Sequence, residues 1–140
     1  MSAVRHPAPQ RGRAPLWRQL FGVGAGPAAW MVQLNVGYAL TSYACNPGGH
    51  AAPAMLSGWA WARAVSLGFN LAAATVAVAA GVISLGLWRA TRGEASGHAV
   101  DAGEGRTRFF AVCGVLTSFG FLAAILFDTV MIAGAPSCRG

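Results

Sequence analysis

The stretch from Leu20 to Ala44, LFGVGAGPAAWMVQLNVGYALTSYA, contains no Asp, Glu, Lys or Arg. At a rise of ~1.5 Å per residue, a helix of this length crosses a hydrocarbon core of ~30 Å. Ala64–Trp88 and Phe109–Ala133 share its apolar, Gly- and Ala-rich character. The expectation is an all-α integral membrane protein with three transmembrane helices, over 20–44, 64–88 and 109–133, and no soluble domain. Residues 1–19 form an Arg/Pro-rich tail expected to be flexible, 20–133 the helical domain and 134–140 a short outer tail.

Hydrophobic residues make up 55% of the chain and charged ones only 10%, against about 25% in soluble domains. Every basic residue is Arg, which with the Ala and Gly excess reads as the codon usage of a GC-rich bacterial genome. The formal charge of +6 could suggest a nucleic-acid partner, but the arginines are placed otherwise. Arg5, Arg11, Arg13 and Arg18 precede the first span, and Arg89, Arg92, Arg106 and Arg108 lie around the second loop. Only Arg63 and Arg139 fall on the opposite side. Basic residues concentrate on cytoplasmic loops, so the N-terminus is expected inside and the C-terminus in the periplasm of a bacterial inner membrane. The expected lipid partner is anionic headgroups.

The aromatic residues agree. Trp17 and Trp88 sit at the inner ends of spans one and two, and Tyr43, Trp59 and Trp61 on the outer side, as in interfacial belts. Pro53–Ala62 is expected as a short helix in the outer headgroup plane. Glu94, Asp101 and Glu104 lie in a Gly/Ser/Ala-rich stretch that reads as a flexible connector. Cleavage of span one as a signal peptide is disfavoured because its apolar stretch exceeds the ~7–15 residues of such a segment. Pro27 either kinks the first helix or starts it.

Polar groups within spans are informative because lipid cannot satisfy them. In span two, Asn70, Ala73, Ala77, Gly81 and Ser84 recur every three or four residues as a close-packing face, and in span three Gly114, Thr117, Phe121, Ala124 and Asp128 do the same. Span one has two faces ill-suited to lipid. Met31, Asn35, Tyr38 and Ser42 lie on one, and Gln33, with Gly26, Trp30 and Gly37, about 200° away on the other. Counted from the outer ends, Tyr38, Asn70 and Asp128 lie at similar depth, ~9 Å in, and are expected to form one polar cluster. The preferred reading makes Asp128 a structural anchor held by Asn70 and Tyr38, the alternative a proton carrier. Trp30 and Gln33 are then left to face a partner protein.

Cys45 and Cys138 both fall just beyond outer helix ends, in an oxidising compartment, where a disulfide between them is one expectation. A metal set of Cys45, His50 and Cys138 is the other, without the usual ligand spacing to support it. Cys113 reads as packing. No nucleotide, serine-hydrolase or zinc-protease motif is present. His6, His50 and His98 all lie in tails or loops, so no metal or cofactor site is expected within the spans. The chain is expected to be no enzyme.

Gly26-Pro27-Ala28-Ala29-Trp30, Gln33-Leu34, Tyr38-Ala39-Leu40 and Ala44-Cys45 resemble the start of small three-span proteobacterial membrane proteins associated with haem–copper cytochrome c oxidase genes. That resemblance implies a non-catalytic accessory subunit or assembly partner of a respiratory complex, with other integral membrane subunits as partners. The competing class is a small transporter or channel component with Tyr38, Asn70 and Asp128 on a proton or substrate path. A third is a free-standing homo-oligomer.

Overall fold

The computed structural model describes residues 12, 14–92, 105–134 and 138. Within them the chain is all-helical, with three long helices, α1 (Leu16–Cys45), α2 (Trp61–Ala90) and α3 (Arg106–Gly134). Most of the N-terminal tail, the connector holding Glu94, Asp101 and Glu104, and the segment around Arg139 lie outside the described residues. Each helix packs against the other two.

α1 runs unbroken through Pro27 and begins at Leu16, after Pro15. Proline lacks the N–H that would bond the carbonyl four residues back, here that of Val23. Because the helix begins at Leu16, Pro27 lies inside it rather than founding it. At its other end α1 stops at Cys45, where Asn46 N–H closes onto Ser42 O at 2.9 Å. A 3₁₀ turn over Pro47–Gly49 follows, with Gly48 and Gly49 at φ 63° and 83°. Two backbone bonds, Ala52 N to Cys45 O (2.8 Å) and Leu56 N to Ala44 O (3.1 Å), fold the loop back over the end of α1.

The expected helix over Pro53–Ala62 does not form. These residues make bends and turns, and Gly58 at φ 93° takes a conformation no helix contains. The helix starts only at Trp61.

Small residues bring the helices together. The buried line of α2 is Ala62, Ser66, Asn70, Ala73, Ala77, Ala80, Gly81, Ser84 and Leu87, spaced at three and four. The buried line of α3 is Thr107, Ala111, Gly114, Ser118 and Ile125. It is turned from the expected Gly114–Thr117–Phe121–Ala124–Asp128 stripe, of which only Gly114 is buried. The contact that turns it is with α1: Ser118 Oγ donates to Gly22 O at 3.0 Å, and a Cβ on Gly26 would stand 3.4 Å from Ser118 Cα. Nearby, Gly22 and Gly114 flank Ser84 so closely that a Cβ on either would collide with the hydroxyl.

The interior is thus small and polar while the bulky hydrocarbon faces out. The largest wholly buried side chains are Ile125, Gln33, Asn70, Thr91, Ser84 and Ser118, whereas Leu71, Leu116, Phe127 and Val130 are exposed. α2 and α3 are long and apolar enough to cross a membrane. Only 33% and 22% of their most apolar stretches is buried, so that apolar surface is not the core of this bundle. α1 is diluted by its glycines, Pro27, Gln33 and Asn35, and is less apolar than either.

Candidate functional site: a carboxylate held between the helices

Asp128 is the only carboxylate among the described residues, and it lies on α3 where α1 crosses it. Trp30 and Gln33 stand three residues apart on α1, hence one above the other on a single face. Both donate to the same oxygen: Gln33 Nε2 lies 2.8 Å and Trp30 Nε1 3.2 Å from Asp128 Oδ2. Gln33 is 2% exposed, and Asp128 is half-buried. The Trp30 ring is fixed from the side by Phe121, with centroids 5.3 Å apart. Behind it pack Ala73, Ala77 and Ile125.

The next residue of α3 serves the other neighbour. Successive helical side chains project ~100° apart, so Asp128 reaches α1 while Thr129 reaches α2. Thr129 Oγ1 lies 3.1 Å from Asn70 Oδ1 and 2.7 Å from Ile125 O, so its one proton serves either acceptor. The Asn70 amide donates to Ser66 O at 2.9 Å, and Ser66 Oγ to Ala62 O at 3.0 Å. Asn70 is 1% exposed. The two polar pairs tie α3 to both partners at one level.

This differs from the cluster expected from sequence in two ways. Tyr38 is 77% exposed and takes no part, and Asn70 bonds Thr129 rather than Asp128. Trp30 and Gln33, expected to face another protein, are the donors that hold Asp128. The two faces of α1 have exchanged roles: the Gln33 side is inside, and Met31, Asn35 and Tyr38 are exposed. A carboxylate at a helix crossing draws N–H donors inward, because charge-assisted hydrogen bonds are about twice as strong as neutral ones. The anchor expected of Asp128 therefore has different partners, and the path drawn through Tyr38, Asn70 and Asp128 is not assembled. The sequence held no signal for the right pairing: Gln33 lies twelve residues before Cys45, Asn35 ten, and Asp128 ten before Cys138, so depth does not favour Gln33 over Asn35.

Cys45 and Cys138 are bonded, with S–S 2.00 Å and Cα–Cα 5.4 Å, which ties the end of α1 to the segment beyond α3. Both sulfurs are consumed, so the set of Cys45, His50 and Cys138 has no thiolates for a metal. Among the described residues no three His, Cys, Asp or Glu side chains group as metal ligands. Cys113 carries a free thiol, half-buried on α3. Arg63 Nη2, at the start of α2, donates to Ala133 O near the end of α3, a cation on carbonyls that carry negative partial charge. Beside it, Tyr43, Trp59 and Trp61 stack in a row, with centroids 6.4 and 5.3 Å apart.

No protein-family model matches this chain, nor does any characterised protein or solved structure.

Proposed function

We propose that the chain is a three-span bacterial inner-membrane protein, N-terminus cytoplasmic, that serves as a non-catalytic accessory subunit or assembly partner of a larger membrane complex. The inside-out distribution of bulk and polarity supports the membrane setting, and the arginine asymmetry supports the orientation. The resemblance of residues 26–45 to oxidase-associated proteins supports a respiratory haem–copper oxidase as the complex.

The observation that carries the partner is the outward stripe on α1. Asn35 is exposed and spends one N–H on its own helix, at Met31 O (2.7 Å). Its side-chain carbonyl is left facing out, one turn from the exposed Tyr38 phenol. At ten residues before Cys45, Asn35 lies ~15 Å below the outer end of α1, close to the middle of a ~30 Å core. Lipid offers nothing to these groups, whereas a hydroxyl or amide on a neighbouring subunit's helix does.

Native membranes solubilised in mild detergent test the proposal. Recovery in fixed proportion with oxidase subunits, weakened in Asn35→Leu/Tyr38→Phe, is the expected result. Recovery of the chain alone, or a complex indifferent to that double substitution, refutes it.

A further inference from the structure

α1 and α2 meet along a seam that α3 covers on one side only. Two cavities open on the uncovered side, and no residue of α3 lines either. One, of about 390 Å³, lies at the Arg18 end, against Trp17, Arg18, Gly86 and Ala90. The other, of about 430 Å³, lies midway along the helices, against Ala28, Val32, Phe69, Ala72 and Val76, with Gln33 its only polar side chain. The lining residues form one continuous stripe on each helix. On α2, positions 69, 72, 76, 83, 86 and 90 advance by three, four or seven, and on α1, 18, 25 and 32 advance by seven. The two cavities therefore lie in line along one side of the α1–α2 seam, a groove narrowed between them where Gly22 approaches Ser84.

We propose that this groove seats one anionic phospholipid of the cytoplasmic leaflet, its phosphate against Arg18 and an acyl chain running to the cavity beside Gln33. The proposal rests on the membrane-spanning reading above. Length, polarity and charge each support this occupant. From Arg18 to Ala28 is ~15 Å along the helix, which equals half of a ~30 Å hydrocarbon core, the depth of one leaflet. The deep cavity is walled by Ala, Val and Phe, which suits a hydrocarbon chain. The other cavity is lined by Arg18, held over the Trp17 ring at 5.3 Å, and Arg92 lies near the same end over Trp88 at 5.1 Å. Asp128, the one carboxylate among the described residues, lies towards the opposite end, and Glu94, Asp101 and Glu104 fall in the connector outside them. The phosphate of a lipid in the cytoplasmic leaflet is a counter-charge at the depth of Arg18.

The test uses the full chain, purified in detergent, stripped of lipid and titrated with dioleoyl phosphatidylglycerol. Adducts are counted by native mass spectrometry. The expected result is a single tight adduct, which glycerol 3-phosphate, lacking acyl chains, does not displace. One arginine near a membrane surface is worth ~1 kcal/mol, so Arg18→Gln is expected to weaken the adduct about fivefold. Ala72→Phe fills the groove from an exposed position and is expected to abolish it. If Ala72→Phe loses the fold, judged by its disulfide and helical content, Ala28→Leu replaces it. No adduct, an adduct that survives the plug, displacement by glycerol phosphate, or a plug that instead breaks a dimer each overturns the proposal. Carbonate extraction of native membranes reports separately: a chain that resists extraction yet holds no lipid refutes the groove and leaves the membrane reading standing.

Discussion

Gln33→Leu and Asp128→Leu, made singly and together, test the anchoring role of the carboxylate. Gln33→Leu removes the 2.8 Å donor and leaves Asp128 with Trp30 at 3.2 Å. Hydrogen bonds to charged groups are worth about 1.5–3 kcal/mol in soluble proteins. Interhelical polar contacts in lipid measure ~0.6 kcal/mol on average and ~1.7 at most. The retained Trp30 bond argues for the lower end, so Gln33→Leu should cost about 1 kcal/mol. Asp128→Leu removes the acceptor of both donors and strands a Gln33 amide that is 2% exposed. Leaving such a group unsatisfied costs about 1–3 kcal/mol, so this single change should be the worse. In the double variant leucine replaces both partners, only the Trp30 indole N–H is left without its acceptor, and part of the loss should return. Reversible unfolding in mixed micelles, read by helical circular dichroism, gives the cycle. A coupling near ~1 kcal/mol is expected. Additive single effects, or an Asp128→Leu protein as stable as the parent, would refute the claim that these two side chains hold one another.

Four further predictions concern the packing, the disulfide and the orientation. Gly22→Ala should destabilise the bundle by about 1–3 kcal/mol, since its methyl would strike Ser84 Oγ, while Ser84→Gly should rescue it in the same unfolding assay. Ser84→Ala should be neutral or mildly stabilising, because that buried hydroxyl has no hydrogen-bond partner. Peptide mapping of unreduced protein should find Cys45 joined to Cys138. Reduction should lower the unfolding midpoint, with ~4–5 kcal/mol as the ceiling set by loop closure over their separation of 93 residues. On intact spheroplasts, impermeant thiol reagents should label both only after reduction and never reach Cys113; labelling of Cys113 alone would invert the proposed arrangement.

The helices themselves were legible in the sequence because the signal for them is local. Long charge-free stretches bounded by Arg, Gly and Pro mark three helical segments wherever they end up packing, and a three-and-four spacing of small residues marks the packing face of α2. The same periodicity was less informative on α3, where the line that packs is set by where Ser118 meets Gly22 on another helix. It could not choose between the faces of α1 at all. Gln33 and Asn35 are both amides on an apolar helix, and nothing local separates them. The choice fell to Asp128, which draws the Trp30 and Gln33 donors inward and leaves Asn35 and Tyr38 outside. Helical spacing relates residues within one helix; the rotation and height of one helix against another are decided by the pairing of buried polar groups and by the close approach of glycines, and these exist only once the chains meet.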